Sequence, residues 1–528
     1  MSIDAPHLLI VCHDVVGSRM AGPGIRAWEL ARALAGHVPT TLVAPNQIDL
    51  PPPPGLQLGS YTPGKPASFA PWLAGTTVVL LNGHLLEAHP ELAELDVPLL
   101  IDLYDPTMLE NLELFRTASA AERSLRHQRD VALFQCQLAA GDGFLCATER
   151  QRDLYIGALL LAGRVTPTLT DHDPDLRRLI DVVPFGLPAA PPVRQGPGLR
   201  GVVPGIGPDD LLVLWSGGLW DWLDPQTLVA AMPAVVEALP QVRLVFLAGR
   251  HPGHALPMQA GAQARTLAAS FGLLDRHVFF YDEWVPYAQR ADLLLEADLF
   301  VSLHRDHLET RYAAVRSRVL DHFWVGRPSL LSDGDPAAEL IRAEGVGLVV
   351  PPEDPTAVSA ALVQLLEDAE LRSQQALRAR ALASRLQWAH LIEPILRFVR
   401  EPLRTRSLAP LLREPVRPTQ PSPVAQRNEA VRLLEERWHQ LQKPAPDTPL
   451  LAQLGRRLAH LLVRPVMPLL AAHIQVVYAQ AEVTDHMARI GKTQIEAFAM
   501  QLQGLEDAVL RLEVRQRGEV PVPPSSKE

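Results

Sequence analysis

The stretch LLIVCHDVVGSRMAGPGIRAWELARAL, residues 8–34, decides how the first half of the chain is read. Leu8 to Cys12 form an apolar run with no polar face, which suits a strand buried on both sides in a helix-covered parallel sheet. Three glycines and a proline follow. Then Ala27, Leu30, Ala31 and Leu34 recur at i, i+3, i+4 and i+7, the stripe of an amphipathic helix. Strand, glycine loop and helix together open an α/β unit. Gly17, Gly22 and Gly24 do not match the dinucleotide spacing G-x-G-x-x-G. Gly22-Pro23-Gly24 nevertheless lies at a helix start, where free N–H groups and the helix dipole favour an anion. The same residues also suit a plain tight turn.

Working outward, the pattern of the first unit continues with TTLVA (40–44), TVVLL (76–81), PLLIDL (98–103), DGFLCAT (142–148) and IDVVP (180–184) as strands. A Pro/Gly-dense stretch, 186–210, reads as a linker. The pattern then restarts with LLVLW (211–215), VRLVFLAG (242–249), HVFFYD (277–282), DLFVSL (298–303), PSLLS (328–332) and GLVV (347–350). Two successive open α/β units are expected, 1–185 and 211–402, each binding ligand beyond the carboxyl ends of its strands. A Pro-rich region, 403–447, precedes a helical tail at 448–515. Within it Ile495, Phe498, Leu502, Leu505, Val509 and Leu512 follow coiled-coil spacing. Residues 516–528 have the composition of a disordered end.

Composition narrows the function classes. The 528 residues carry a formal charge of −10, against the basic face of a general nucleic-acid binder. Cys12, Cys136 and Cys146 sit in apolar surroundings without metal-ligand spacing and read as buried thiols of a reducing compartment. The N-terminus lacks a signal-peptide pattern, and no run of about 18 apolar residues exists to span a bilayer. A cytoplasmic protein is expected.

The second unit opens with LWSGGLWDWLDPQTL (214–228), where Gly217-Gly218 ends a strand and Trp215, Trp220 and Trp222 cluster. Indoles at a strand end stack on a flat ligand or pack between domains. Asp224-Pro225 reads as a helix N-cap. The next strand ends at Arg250 and His251. Glu309, Arg311, Arg316, Arg318 and Asp321 crowd into thirteen residues, where one helix would aim several polar groups one way. Arginines there suit a diphosphate; a solvated helix face with ordinary ion pairs is the alternative. In the first unit Asp102 and Asp105 lie at a strand's carboxyl edge, and Glu149 and Arg150 follow another.

Taken in order, AGPGIRAWELARAL, ATERQR, VVPFGLP, LWSGGLWDW and LLLEADLFVSLHRDHLETRYAAVRSRVLDHFWVGRP resemble the retaining glycosyltransferases of family 4, over roughly residues 5–400. The resemblance implies a GT-B fold: two Rossmann-like domains facing across a cleft, here with an α-helical C-terminal tail. It implies a nucleotide-diphosphate sugar held mainly by the C-terminal domain and an acceptor held by the N-terminal one. Gly22 and Gly24 would then bring backbone N–H groups to the donor diphosphate. Gly217, Gly218, Trp222, Arg250, His251, Arg316, Arg318 and Asp321 would complete the donor site. Two departures stand out. Of the family's glutamate pair, the second place holds Asp321 and the first holds Ala313, with Glu309 one turn earlier as its replacement. The usual Arg/Lys pair is missing from the 216–224 loop, so Arg250, Arg316 or Arg318 must neutralise the diphosphate.

The implied reaction is sugar transfer to a hydroxyl with retention, in surface polysaccharide or glycolipid assembly, without an obligatory metal or other cofactor. Asp105 and Glu309 are the candidate catalytic carboxylates. A non-catalytic nucleotide-sugar-binding scaffold and a GT-B-type epimerase are the alternatives. In the tail, residues 451–478 mix apolar side chains with Arg456, Arg457 and Arg464, a pattern that suits peripheral membrane contact at the inner face or self-association.

Overall fold

The computed structural model describes residues 6–249 and 258–406. The expected coiled-coil seam, the remainder of the tail, Arg250 and His251 lie outside the described residues.

Seven strands form the first sheet: β1 (Leu8–Val11), β2 (Thr40–Ala44), β3 (Leu56–Ser60), β4 (Val78–Asn82), β5 (Leu99–Asp102), β6 (Gly143–Cys146) and β7 (Ile180–Val182). Their order is β3-β2-β1-β4-β5-β6-β7 and every pairing is parallel, with Leu8 in register with Thr40 on one side and Val78 on the other. Six strands form the second sheet: β8 (Leu211–Trp215), β9 (Val242–Leu247), β10 (Val278–Tyr281), β11 (Leu299–Ser302), β12 (Ser329–Ser332) and β13 (Gly347–Val350). They run in the order β10-β9-β8-β11-β12-β13, again all parallel. Apolar side chains bury both faces of β1, β2 and β11, as continuous hydrophobic strands require.

The strand absent from the sequence reading is β3. It lies at the sheet edge, and of its five residues only Leu56 is buried, so its apolar signal is short. In both sheets the order reverses beside the first strand, at β1/β4 and at β8/β11. Ligand crevices in open α/β sheets form at such reversals, beyond the strand ends.

Two boundaries differ from the expected ones. Within the 186–210 segment, Leu199 and Ile206 are buried in the core beside the second sheet. The Glu296 carboxylate accepts from Leu199 N at 2.7 Å and Arg200 N at 2.6 Å, fastening that segment down. At the other end, the expected second domain, 211–402, gives its last helices to the first sheet. Leu187 N donates to Leu386 O at 2.8 Å, and Trp388 N donates back to Leu187 O at 3.0 Å. The helix Trp388–Leu391 then packs on the helix Gly22–Ala35. In the helix Glu393–Arg400, Ile395, Leu396, Phe398 and Val399 are buried, and Arg397 pairs with Asp181 of β7. Thr405 N donates to Asp142 at 3.1 Å. This one-sided apolar stripe needs a surface to cover, and the first domain supplies it.

Candidate functional site

The loop between β1 and the helix Gly22–Ala35 uses its glycines unequally. A Cβ on Gly24 would lie 2.1 Å from Val15 O, so this glycine permits close backbone packing. A Cβ on Gly22 would meet nothing within 4 Å. The helix begins without a side-chain cap and has no acidic residue in its first turn, which leaves its N-terminal dipole uncompensated by side chains.

Arg26, buried in that helix, was not singled out by the sequence. Its guanidinium donates to Asp102 at 2.6 and 3.0 Å and to the carbonyls of Val183 and Pro184 at 2.9 and 3.1 Å. It also lies over the Tyr104 ring, 4.6 Å from the centroid. Asp102 is therefore a structural partner that ties the helix to β5.

Asp105, three residues on, stands at the junction of the two domains. The helix Thr107–Leu114 packs there on the helix Leu308–Tyr312 of the second domain. Burial, with the neighbouring charges of Glu309 and Asp102, pushes the Asp105 carboxyl up to about 6. Glu110 is raised well above the ordinary carboxylate range, chiefly by burial and then by the charge of Asp105. The two are hydrogen-bonded, with Glu110 holding the proton and donating to Asp105. Glu110 was missed because nothing local marks it; its role appears only when β5 and the following helix are placed.

The second domain faces this pair with a chain of ions. Arg316 donates to both oxygens of Glu309 at 3.1 Å and to Asp335 at 3.1 Å. Glu309 and Asp335 are both buried. His304, two residues past β11, has a buried Nε2 with no hydrogen-bond partner among the described residues, 3.6 Å from the Asp335 carboxylate, and burial lowers its pKa. Glu309 is thus held by Arg316.

The expected continuous helix around Glu309 does not form. It ends at Tyr312, Ala313 is extended at ψ 155°, and a new helix runs from Ser317 to Val325. The carbonyls that would continue the first helix are taken by the other domain. Arg150 donates to Arg311 O and Gln151 to Tyr312 O, each at 2.8 Å. Arg311 itself is exposed and pairs with Asp306 at 3.2 Å. Glu309 lies in the helix Leu308–Tyr312, one turn before its C-cap Ala313, whereas Arg311 is separated by this break from Arg318 and Asp321, so the three do not share one helix face.

Arg318 has a different environment. Its Nη1 donates to Gly218 O at 2.9 Å, and no carboxylate pairs with it among the described residues. Burial and the nearby Arg316 charge lower its pKa to about 9. Gly217 holds φ +115°, and a Cβ there would press on the guanidinium at 3.2 Å. Gly217 and Gly218 thus sit beside a cation at the β8/β11 reversal. Trp222 stacks on Trp220 at 5.1 Å, and its carbonyl accepts from His307 Nε2 at 2.9 Å. Trp215 is fully buried, and Asp224 caps the following helix by accepting from Thr227 N at 3.0 Å.

Asp321 accepts from Arg290 Nε at 3.4 Å, while burial raises its pKa. Arg290 lies over the rings of Tyr287 and Trp324, 3.8 and 4.3 Å from their centroids. Tyr287 reaches the first domain through its hydroxyl to Glu29 at 2.9 Å and its N–H to Ser18 O at 2.8 Å. The structure therefore assembles Asp105, Glu110, Glu309, Arg316 and Asp335 in one cluster. Arg318 sits with Gly217-Gly218, and Asp321 with Arg290. Among the described residues, no group of three or more His, Cys, Asp or Glu side chains is placed to hold a metal ion.

Comparison with known proteins agrees with this architecture. Residues 210–368 match the family model described as glycosyl transferases group 1. The sucrose-phosphate synthase of Thermosynechococcus elongatus superimposes with a TM-score of 0.54 at 16% identity, covering 75% of this chain and 98% of that one. Anabaena HepE in complex with UDP-glucose gives a TM-score of 0.51 at 13% identity, covering 75% and 99%. No curated protein sequence matches this chain. The two parallel-sheet domains have the GT-B fold.

Proposed function

We propose that this chain transfers a sugar from a nucleotide-diphosphate donor to a hydroxyl acceptor, with retention at the anomeric carbon. The observation that carries the reading is Arg318: a half-buried guanidinium without a carboxylate partner among the described residues, at the strand end where an α/β domain takes its ligand. A cation partly screened from water and left unpaired is costly, and a bound diphosphate supplies the missing charge. The nucleotide-sugar donor is further supported by the group 1 match over 210–368 and by the nucleotide in the HepE complex. Gly217 and Gly218 allow close backbone approach, and the helix of the first domain starts uncapped at Gly22, where a Cβ would meet nothing within 4 Å.

During transfer the bond between the sugar's anomeric carbon and the diphosphate oxygen breaks, and the acceptor oxygen bonds to that carbon. The acceptor proton passes to Asp105. Charge gathers on the leaving diphosphate, where Arg318 and helix N–H groups stabilise it in place of water. No metal is needed in this scheme. An acceptor belonging to surface polysaccharide or glycolipid assembly follows from the family resemblance.

The pH profile tests the role of Asp105. As a base it works ionised, so kcat should fall as pH drops through about 6. Asp105→Asn should lower kcat by roughly 100- to 10,000-fold and remove that acidic limb. An unchanged limb in the variant assigns the proton elsewhere. The engagement of Asp321 by Arg290 favours the non-catalytic alternative, in which nucleotide binds without transfer or donor hydrolysis.

A further inference from the structure

The first domain contains a cavity of about 410 Å³ beyond the ends of β4 and β5, reaching from Asp105 to the helix Glu149–Leu161. Its walls are mainly apolar, including Met108, Leu133, Phe134 and Leu154. Most polar groups that line it are already engaged. Tyr155 donates to Leu103 O at 2.9 Å, Thr107 bonds His84 at 2.6 Å, Asp130 accepts from Asn111 at 2.9 Å, and Asp102 holds Arg26. An oligosaccharide needs several convergent hydrogen-bond partners, which this wall does not offer. Asp105, at the inner end, retains partial exposure. The outer end carries Leu154 and Leu161, 37% and 92% exposed, beside Gly157. Exposed leucines around an apolar cavity mark an entry for apolar ligand.

We propose that this cavity binds the acceptor and that the acceptor is a hydroxyl-bearing amphiphile. Its apolar body enters past Leu161 and Gly157, and its hydroxyl meets Asp105. This inference rests on the transferase reading for the use of that hydroxyl, and on the cavity alone for the apolar body.

The test uses the full chain and three probes: n-decanol, maltotriose and uridine diphosphate. Displacement of the fluorescent dye 1-anilinonaphthalene-8-sulfonate reports occupancy, and thermal stabilisation reports the nucleotide. A Cβ on Gly157 meets nothing within 4 Å, so Gly157→Leu fills the entrance without a clash and without breaking its helix. Decanol should displace the dye and maltotriose should not. Gly157→Leu should weaken decanol at least tenfold while leaving the nucleotide shift unchanged. Leu161→Asp, at a solvent-facing position, should weaken decanol in the same direction. Displacement by maltotriose alone, or equal decanol affinity in wild type and both variants, overturns the proposal. Decanol binding at this entrance without any nucleotide shift would retain the cavity assignment and remove the transferase reading.

Discussion

Arg316 and Arg318 leave the same short stretch of chain and meet opposite surroundings. Arg316 bridges Glu309 and Asp335 and so locks the helix Leu308–Tyr312, the extended stretch after it and the helix after β12 into one piece. Among the described residues Arg318 reaches a carbonyl, in the loop after β8, and the ring of Trp215, but no carboxylate. Both are partly screened from water, and the difference is the counter-charge. A guanidinium with its carboxylates in place is already satisfied and serves the fold. One without them is poised for an anion.

The largest expected effect breaks the satisfied region. Arg316→Met leaves Glu309 and Asp335 buried without their cation, and urea unfolding should show a loss of about 3–5 kcal/mol. A loss near zero would mean that the ion chain contributes nothing to the domain junction. Next comes the loop beside the unsatisfied arginine. Gly217→Ala forces a side chain to φ +115° and against the guanidinium, which should lower stability by about 1–3 kcal/mol. The smallest effect concerns the proton on Glu110. Gln at that position still donates to Asp105, so Glu110→Gln should move the acidic limb by less than about one pH unit. Loss of activity equal to that of Asp105→Asn would give Glu110 a role of its own.

The alternating apolar runs made twelve of the thirteen strands among the described residues legible, because parallel strands buried on both faces need no tertiary information to be seen. β3 escaped because an edge strand carries half the signal. The site was less legible, for a physical reason. Arg26 with Asp102, Arg290 with Asp321 and Arg316 with Asp335 join residues far apart in sequence, and no local period announces such pairs. The stretch from Arg311 to Arg318 misled because helical spacing was counted through Ala313. There Arg150 and Gln151 of the other domain take the carbonyls that would have continued the helix. The two glycine loops look alike in sequence. Yet Gly24 serves packing against Val15, Gly22 stands in open space, and Gly217 shapes the ground beside a cation.

The most direct measurement is thermal stabilisation by a panel of nucleoside diphosphates, made on wild type and Arg318→Met side by side. At 100 times its dissociation constant, one nucleotide should stabilise wild type by about 2.7 kcal/mol. Arg318→Met should keep the unliganded stability and lose about 1.5–3 kcal/mol of nucleotide affinity, the worth of a charge-assisted bond. Equal stabilisation of the two proteins, or none in wild type, would contradict the assignment of Arg318 as the diphosphate's counter-charge.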